Sequence, residues 1–207
     1  MSEAKRPFIL GLTGSIAMGK STVAQMLRDC GVPVFDADYE VRAMQGPDGE
    51  LLPAIEAEFP GTTGPDGVDR PLLGAQVFGN PERLAALEAI VHPAVAKRRE
   101  AFVEDHRDAD LIVFDIPLLF EKGGADRLDA VAVVSAPAEM QRKRVLAREN
   151  MTEEKFAAIL AAQMPDAEKR ARADFIIDTG VPLDETRAQV EALVDKLRSG
   201  PHADLRA

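Results

Sequence analysis

Short apolar runs alternate along the chain with longer stretches in which apolar and polar positions mix. Residues 8–13, 32–35, 111–115, 130–134 and 173–178 are the apolar runs. Runs this short, bounded by turn residues, read as buried strands rather than helices. Helical spacing follows over 21–28, ending near Gly31, and over the residues from Ala37 to Met44. Further helices are expected at 51–59, 82–106, 152–163 and 183–197, with one more carrying 141–148. In the stretch 82–106 the apolar positions are Leu84, Leu87, Val91 and Val95, and Pro93 is expected to kink or split it. Thr152 followed by Glu153 and Glu154 has the pattern of a helix N-cap with acids in the first turn. Residues 46–79 are the least regular part. Their turn signals, Gly46-Pro47-Asp48-Gly49 and Gly61-Thr62-Thr63-Gly64-Pro65-Asp66-Gly67, mark an insertion over the sheet. Residues 199–207 read as a frayed tail.

Composition narrows the class. The 207 residues are 46% hydrophobic and 29% charged, enough for one domain with a buried core. No run approaches the roughly 20 apolar residues of a membrane span. Residues 1–7 lead into the first strand without signal-peptide architecture, so a cytoplasmic protein is expected. Cys30 is the single cysteine, which excludes an internal disulfide and fits a reducing compartment; at the end of an apolar helix it reads as a core thiol. A formal charge of −10 gives no global basic excess for nucleic acid.

One stretch nevertheless demands an anion. Gly14-Ser15-Ile16-Ala17-Met18-Gly19-Lys20-Ser21 matches the phosphate-binding pattern G-x-x-x-x-G-K-[ST], with a strand before it and a helix after it. The glycines let the backbone curl so that successive N–H groups point at one spot, and the helix N-terminus adds partial positive charge there. Lys20 would reach the outer phosphates, and the Ser21 hydroxyl would hold a magnesium ion bridging them. Lys20 is expected to face solvent in the empty protein.

Acids and arginines supply the remaining chemistry. The second strand ends in Asp36-Ala37-Asp38, and ligands sit at the carboxyl ends of strands in parallel α/β sheets. One of the two aspartates is expected to cap the following helix, the other to face the ligand. The third strand ends in Asp115, which resembles the second magnesium-site element of phosphate-loop enzymes. Arg142, Lys143, Arg144 and Arg148 concentrate positive charge, and Arg144 and Arg148 share one helix face. Phosphoryl transfer needs such groups to offset developing charge. His92, beside Pro93, fits hydrogen bonding better than catalysis.

With these residues in view, the chain resembles the dephospho-coenzyme A kinase family from Phe8 to about Val194. The resemblance is carried by Gly11-Leu12-Thr13-Gly14 with Gly19-Lys20-Ser21-Thr22, then Asp36-Ala37-Asp38, His92-Pro93 and Asp115-Ile116-Pro117-Leu118-Leu119-Phe120-Glu121. It continues with Gln141, Arg144 and Arg148, Gln163-Met164-Pro165, Glu168-Lys169 and Ala173-Asp174-Phe175-Ile176-Ile177-Asp178. The phosphate loop is common to many families; the aspartate pair and the D-x-P-L-L-F-E segment in this order are much more specific. Ser15, Ala17 and Met18 replace more usual loop residues, Ile159 stands where an arginine is frequent, and Thr179 replaces an asparagine.

The resemblance implies an α/β phosphate-loop kinase fold: a five-stranded parallel sheet flanked by helices, with a helical substrate-binding insertion and a lid. The single domain would have its core at about 8–45 and 108–198, the insertion at about 46–107 and the lid at about 141–165. It implies phosphorylation of the ribose 3′-hydroxyl of dephospho-CoA by ATP with Mg2+, in a monomer with no nucleic-acid or membrane partner. Asp38, Lys20 and Arg148 are the implied catalytic residues. Thr13, Gly14, Ser15, Ile16, Ala17, Met18, Gly19, Lys20, Ser21, Thr22, Arg144 and Arg148 would bind nucleotide. Asp38, His92, Asp115, Leu118, Phe120, Gln163 and Lys169 would bind the acceptor. Ser21 would hold the metal directly, with Asp36 or Asp115 acting through water. A nucleoside-monophosphate kinase would share the loop and lid but lack the aspartate pair and the D-x-P-L-L-F-E segment. A regulatory GTP switch would carry an N-K-x-D motif, which is absent.

Overall fold

A computed structural model describes residues 6–121, 123–124 and 127–199. Tail residues 200–207 lie outside them; Ser199 is the last residue of the closing helix. The strands of the main sheet are β1 (Phe8–Thr13), β2 (Val34–Asp36), β5 (Leu111–Asp115), β6 (Ala130–Ser135) and β7 (Phe175–Asp178), in the order β2-β5-β1-β6-β7. β1 pairs in parallel with β5, Leu12 opposite Asp115, and with β6, and β6 pairs in parallel with β7. The chain moves to one side of β1 for β2 and β5 and to the other for β6. The strand order therefore reverses beside β1, the point where α/β sheets bind ligands.

The chain divides into two compact units, residues 36–105 and the remainder. In the larger one, side-chain alternation along β6 shows why the apolar runs lack a polar face. Ala130, Ala132 and Val134 join one core with Leu10, Leu12, Val23 and Leu27. It also takes in Val190 and Val194 from the closing helix α9 (Leu183–Ser199). Val131 and Val133 face the other way, onto Leu119 with Ile116, Phe120 and Leu128. With both faces covered, Ala130 to Val134 are all apolar, and the polar Ser135 comes only at the strand's end. Cys30 packs half-buried against the first core, and burial pushes its thiol pKa up, in keeping with a structural thiol.

The unit of residues 36–105 holds α2 (Ala37–Met44), α3 (Leu52–Glu58), the two-stranded β3–β4 pair (Thr63–Gly64 and Gly67–Val68), α4 (Arg70–Val77) and α5 (Pro81–Asp105). Its core is Met44, Leu51, Ile55, Phe59, Leu73 and Val77, with Leu87, Ile90, Val91 and Val95 of α5 packed against it. Leu84, one of the apolar positions of this stretch, is 46% exposed. Helix α5 runs unbroken through Pro93, so the proline does not split it. The β3–β4 turn was legible as a glycine-rich signal, but α4 was not. Pro71 at its start allows a helix, because a first-turn N–H has no intrahelical partner, and the Asp69 side chain caps it by accepting from Leu72 N–H.

Candidate active site

The phosphate loop joins β1 to α1 (Lys20–Asp29) as the motif requires. A Cβ on Gly14 would sit 2.7 Å from the Val134 carbonyl oxygen, so only glycine passes this close to β6. Gly19 caps α1 at φ +89° with no side-chain cap, and no acid occupies the first turn. The helix's first N–H groups thus meet no competing carboxylate of its own. Ser21 and Thr22 are exposed there. Thr13 and Ser15 are buried, and Thr13 Oγ1 donates to the Pro117 carbonyl at 3.3 Å. Met18 is buried at the back of the loop: its sulfur accepts from Ala136 N–H at 3.2 Å, and its carbonyl accepts from Thr179 Oγ1 at 2.6 Å. Two of the departures from the family pattern, Met18 and Thr179, therefore meet each other.

Lys20 is not solvent-facing, contrary to expectation. Its Nζ pairs with the Asp115 carboxylate, which is 3% exposed at the end of β5. The cause is tertiary: β5 lies beside β1, so its terminal acid comes alongside the loop that follows β1. Asp36 is the N-cap of α2, its Oδ1 accepting from Tyr39 N–H at 2.9 Å, while Asp38 is exposed in the first turn. His92 is exposed, with Nε2 4.0 Å from Glu88 Oε1. Asp36, Asp38 and His92 belong to the smaller unit.

Beyond β5, Leu118 and Phe120 are half-buried. Glu121 Oε1 accepts from Met164 N–H at 2.8 Å and lies 2.8 Å from Lys169 Nζ, on α8 (Asp166–Ala171). Lys169 is fully buried, so its nearest chemistry is Glu121. Burial pushes the Glu121 carboxyl pKa up, but the Lys169 ammonium and the Met164 N–H outweigh it and hold the group below its ordinary value.

Residues 141–165 include the end of α6 (Ala138–Leu146) and all of α7 (Glu153–Ala161). Thr152 caps α7 as expected, accepting from Lys155 N–H at 3.3 Å. Arg144 donates to the Thr179 carbonyl at 2.6 Å and to Thr179 Oγ1 at 3.2 Å, which holds its guanidinium beside the residue that backs Gly19. Arg148 is exposed, with no side-chain hydrogen bond or ion pair among the described residues. Gln163 Oε1 accepts from Ile16 N–H at 3.1 Å, and Gln141 Nε2 donates to the Ile16 carbonyl at 2.8 Å. The loop residues, Asp115, Arg144 and Gln163 thus come together within one unit. Glu121, Gln141 and Thr179 were not expected among the site residues. For Gln141 a signal existed: it lies one helical turn before buried Val145, at an inward position where a polar residue needs a partner.

A phosphate-binding loop at the switch point of a parallel sheet, with a paired lysine and strand-end aspartate and a nearby arginine, defines a phosphate-loop kinase. The family model described as dephospho-CoA kinase matches residues 8–185. The chain is 68% identical to the dephospho-CoA kinase of Novosphingobium aromaticivorans, over 93% of this chain and 96% of that one. A crystal structure from Thermus thermophilus superposes with a TM-score of 0.78 at 39% identity, covering 92% of this chain and 97% of that one. The dephospho-CoA kinase of Campylobacter jejuni gives a TM-score of 0.64 at 27% identity, covering 93% and 98%. The chain belongs to the dephospho-CoA kinase family, whose members carry out the last step of coenzyme A synthesis.

Proposed function

We propose that the phosphate loop of this kinase binds the ATP phosphates and that the γ-phosphoryl group passes to the ribose 3′-hydroxyl of dephospho-CoA. The observation that carries this reading is the Lys20–Asp115 pair beside the α1 N-terminus. It presents a cation at the place where backbone N–H groups converge. Phosphoryl transfer depends mainly on positioning and charge stabilisation. Lys20 neutralises the outer phosphates and exchanges part of its pairing with Asp115 for them. Arg148, exposed and untethered among the described residues, is suited to follow the developing charge, whereas Arg144 is tied to Thr179 and contributes a fixed charge. Asp38 orients and accepts the hydroxyl proton; this rests on its place in the family motif and its exposure.

The donors present fit a magnesium ion, which prefers oxygen ligands, keeps several waters and takes the rest from substrate phosphates. Exposed Ser21 would hold it directly, with Asp36 or Asp115 acting through water; one Asp36 oxygen is engaged as a helix cap and one Asp115 oxygen pairs with Lys20. When bound, the ion offsets charge on the β- and γ-phosphates. Leu118, Phe120 and His92 are assigned to the acceptor by the family motif. Lys169 is assigned an indirect part, through Glu121. Residues 141–165 form a lid that keeps water from the reacting phosphate. We read the protein as a cytoplasmic monomer without a nucleic-acid partner. No described helix is long and apolar enough to cross a membrane.

Mass spectrometry after incubation with Mg-ATP and dephospho-CoA, AMP, CMP or water tests the reading. Dephospho-CoA should gain one phosphate on its ribose. Phosphorylation of AMP or CMP in its place would defeat the assignment, and EDTA should stop the reaction.

A further inference from the structure

Both ends of residues 141–165 hold the same residue of the phosphate loop. Gln141 donates to the carbonyl of Ile16, and Gln163 accepts from its N–H. Because each partner is a backbone group of fixed polarity, each amide has one orientation that satisfies it. A trans peptide sets its C=O and N–H in opposite directions. Gln141, by fixing the Ile16 carbonyl, therefore turns the Ala17 N–H to the opposite side. Gln163, by fixing the Ile16 N–H, does the same for the Ser15 carbonyl, which accepts from Met18 N–H at 3.2 Å and closes the loop's turn.

The turn needs holding. Ala17 sits at φ +60°, a left-handed conformation disfavoured for an L-residue with a Cβ. Ile16 and Ala17 also pack against Val145, Leu146, Met151 and Phe156, all from residues 141–165 or their helices. The arm carrying Gln163 is itself pinned one residue further on, where Met164 N–H meets the Glu121–Lys169 pair.

We propose that Gln141 and Gln163 are positioning residues for phosphoryl transfer. Together they fix the two peptide planes on either side of Ile16, so that the loop presents the Ala17 N–H, not a carbonyl, to the transferring group. This rests on the reading that the loop holds the ATP phosphates. On this reading Gln163, expected among acceptor residues, acts through the loop.

The test compares Gln141→Met and Gln163→Met, which keep side-chain length and remove the amide. Each should lower kcat by about three- to tenfold, the range for one neutral hydrogen bond, with the KM for dephospho-CoA unchanged. Hydrolysis of ATP to ADP and phosphate without transfer, measured per phosphoryl group transferred, should rise. Because the two amides share one residue, the double variant should lose less than the product of the single losses. An effect on melting temperature alone would overturn the proposal. So would a rise confined to the dephospho-CoA KM, or multiplicative losses in the double variant. Gln141 is almost fully buried, so if its variant does not fold, half-buried Gln163 decides by the same kcat, KM and hydrolysis readouts. Calorimetric ATP titration of wild type and Lys20→Met checks the loop reading separately: retained ATP affinity in Lys20→Met would undo that reading, not the glutamine clasp.

Discussion

Lys169 Nζ lies 2.8 Å from Glu121 Oε1, with the lysine side chain fully buried and the glutamate 16% exposed. A charge this deep is sustained only by a partner, and Glu121 is that partner. The same carboxylate receives the Met164 N–H. One ion pair thus ties the segment after β5 to α8 and to the residue that follows Gln163.

Breaking the pair from one side should cost more than replacing both members. Lys169→Met is expected to lower stability by about 3 kcal/mol, because it leaves a largely buried carboxylate without its cation. Adding Glu121→Gln should return part of that loss. Urea titration of the three variants against wild type checks this; equal losses in Lys169→Met and in the double variant would deny the pair its structural weight.

The pair also sets a pH dependence. The Glu121 carboxyl is held below its ordinary value in the folded protein. Its contribution is therefore fully present above the unfolded-state pKa, about 4.3 for glutamate, and is lost as pH falls through the lower folded-state value. Wild type should exceed Glu121→Gln in melting temperature near neutrality, and the gap should close on acidification toward about pH 3. A gap that widens with acidification would reverse the sign.

Lys20→Met should affect both chemistry and stability. Removing a preorganised charge at a phosphate site lowers turnover by about 10²-fold or more. The variant also withdraws the cation beside the buried Asp115 carboxylate, so its melting temperature should fall measurably. Circular dichroism melts with ATP titrations separate the two effects; undiminished turnover would remove the loop as the ATP site.

Arg148→Ala should lose more in kcat than in affinity for dephospho-CoA. The side chain is exposed and tethered to nothing among the described residues, so stability should not change. Normal turnover with poor acceptor binding would move Arg148 to the acceptor.

Asp36 and Asp38 should respond oppositely to asparagine. Asp36 caps α2, a role that asparagine fills equally well, so Asp36→Asn should leave the melting temperature nearly unchanged. Asp38→Asn should bind both substrates and lose about 10²–10⁴-fold in turnover, the contribution of a positioned acid–base group. Binding is measured with a non-hydrolysable ATP analogue; near-normal turnover in Asp38→Asn would take that residue off the catalytic list.

The sequence by itself determined the elements whose signal is local. Residues 8–12, 111–114 and 130–134 carry no polar side chain because both faces of a parallel strand are covered, and a central strand shows that without its neighbours. Gly14 and Gly19 bracket a loop whose chemistry is backbone chemistry, so glycine spacing announces it. Tertiary structure alone decided which charges and amides meet. That Lys20 is held by Asp115, 95 residues away, follows from β5 lying beside β1, and strand order leaves no periodic trace. Gln141 from α6 and Gln163 from the bend after α7 converge on Ile16, and Thr179 reaches Met18 across 161 residues. Each is a single hydrogen bond between parts of the chain brought together only by packing, and a neutral side chain in a helix looks the same in sequence whether it faces water or a peptide group.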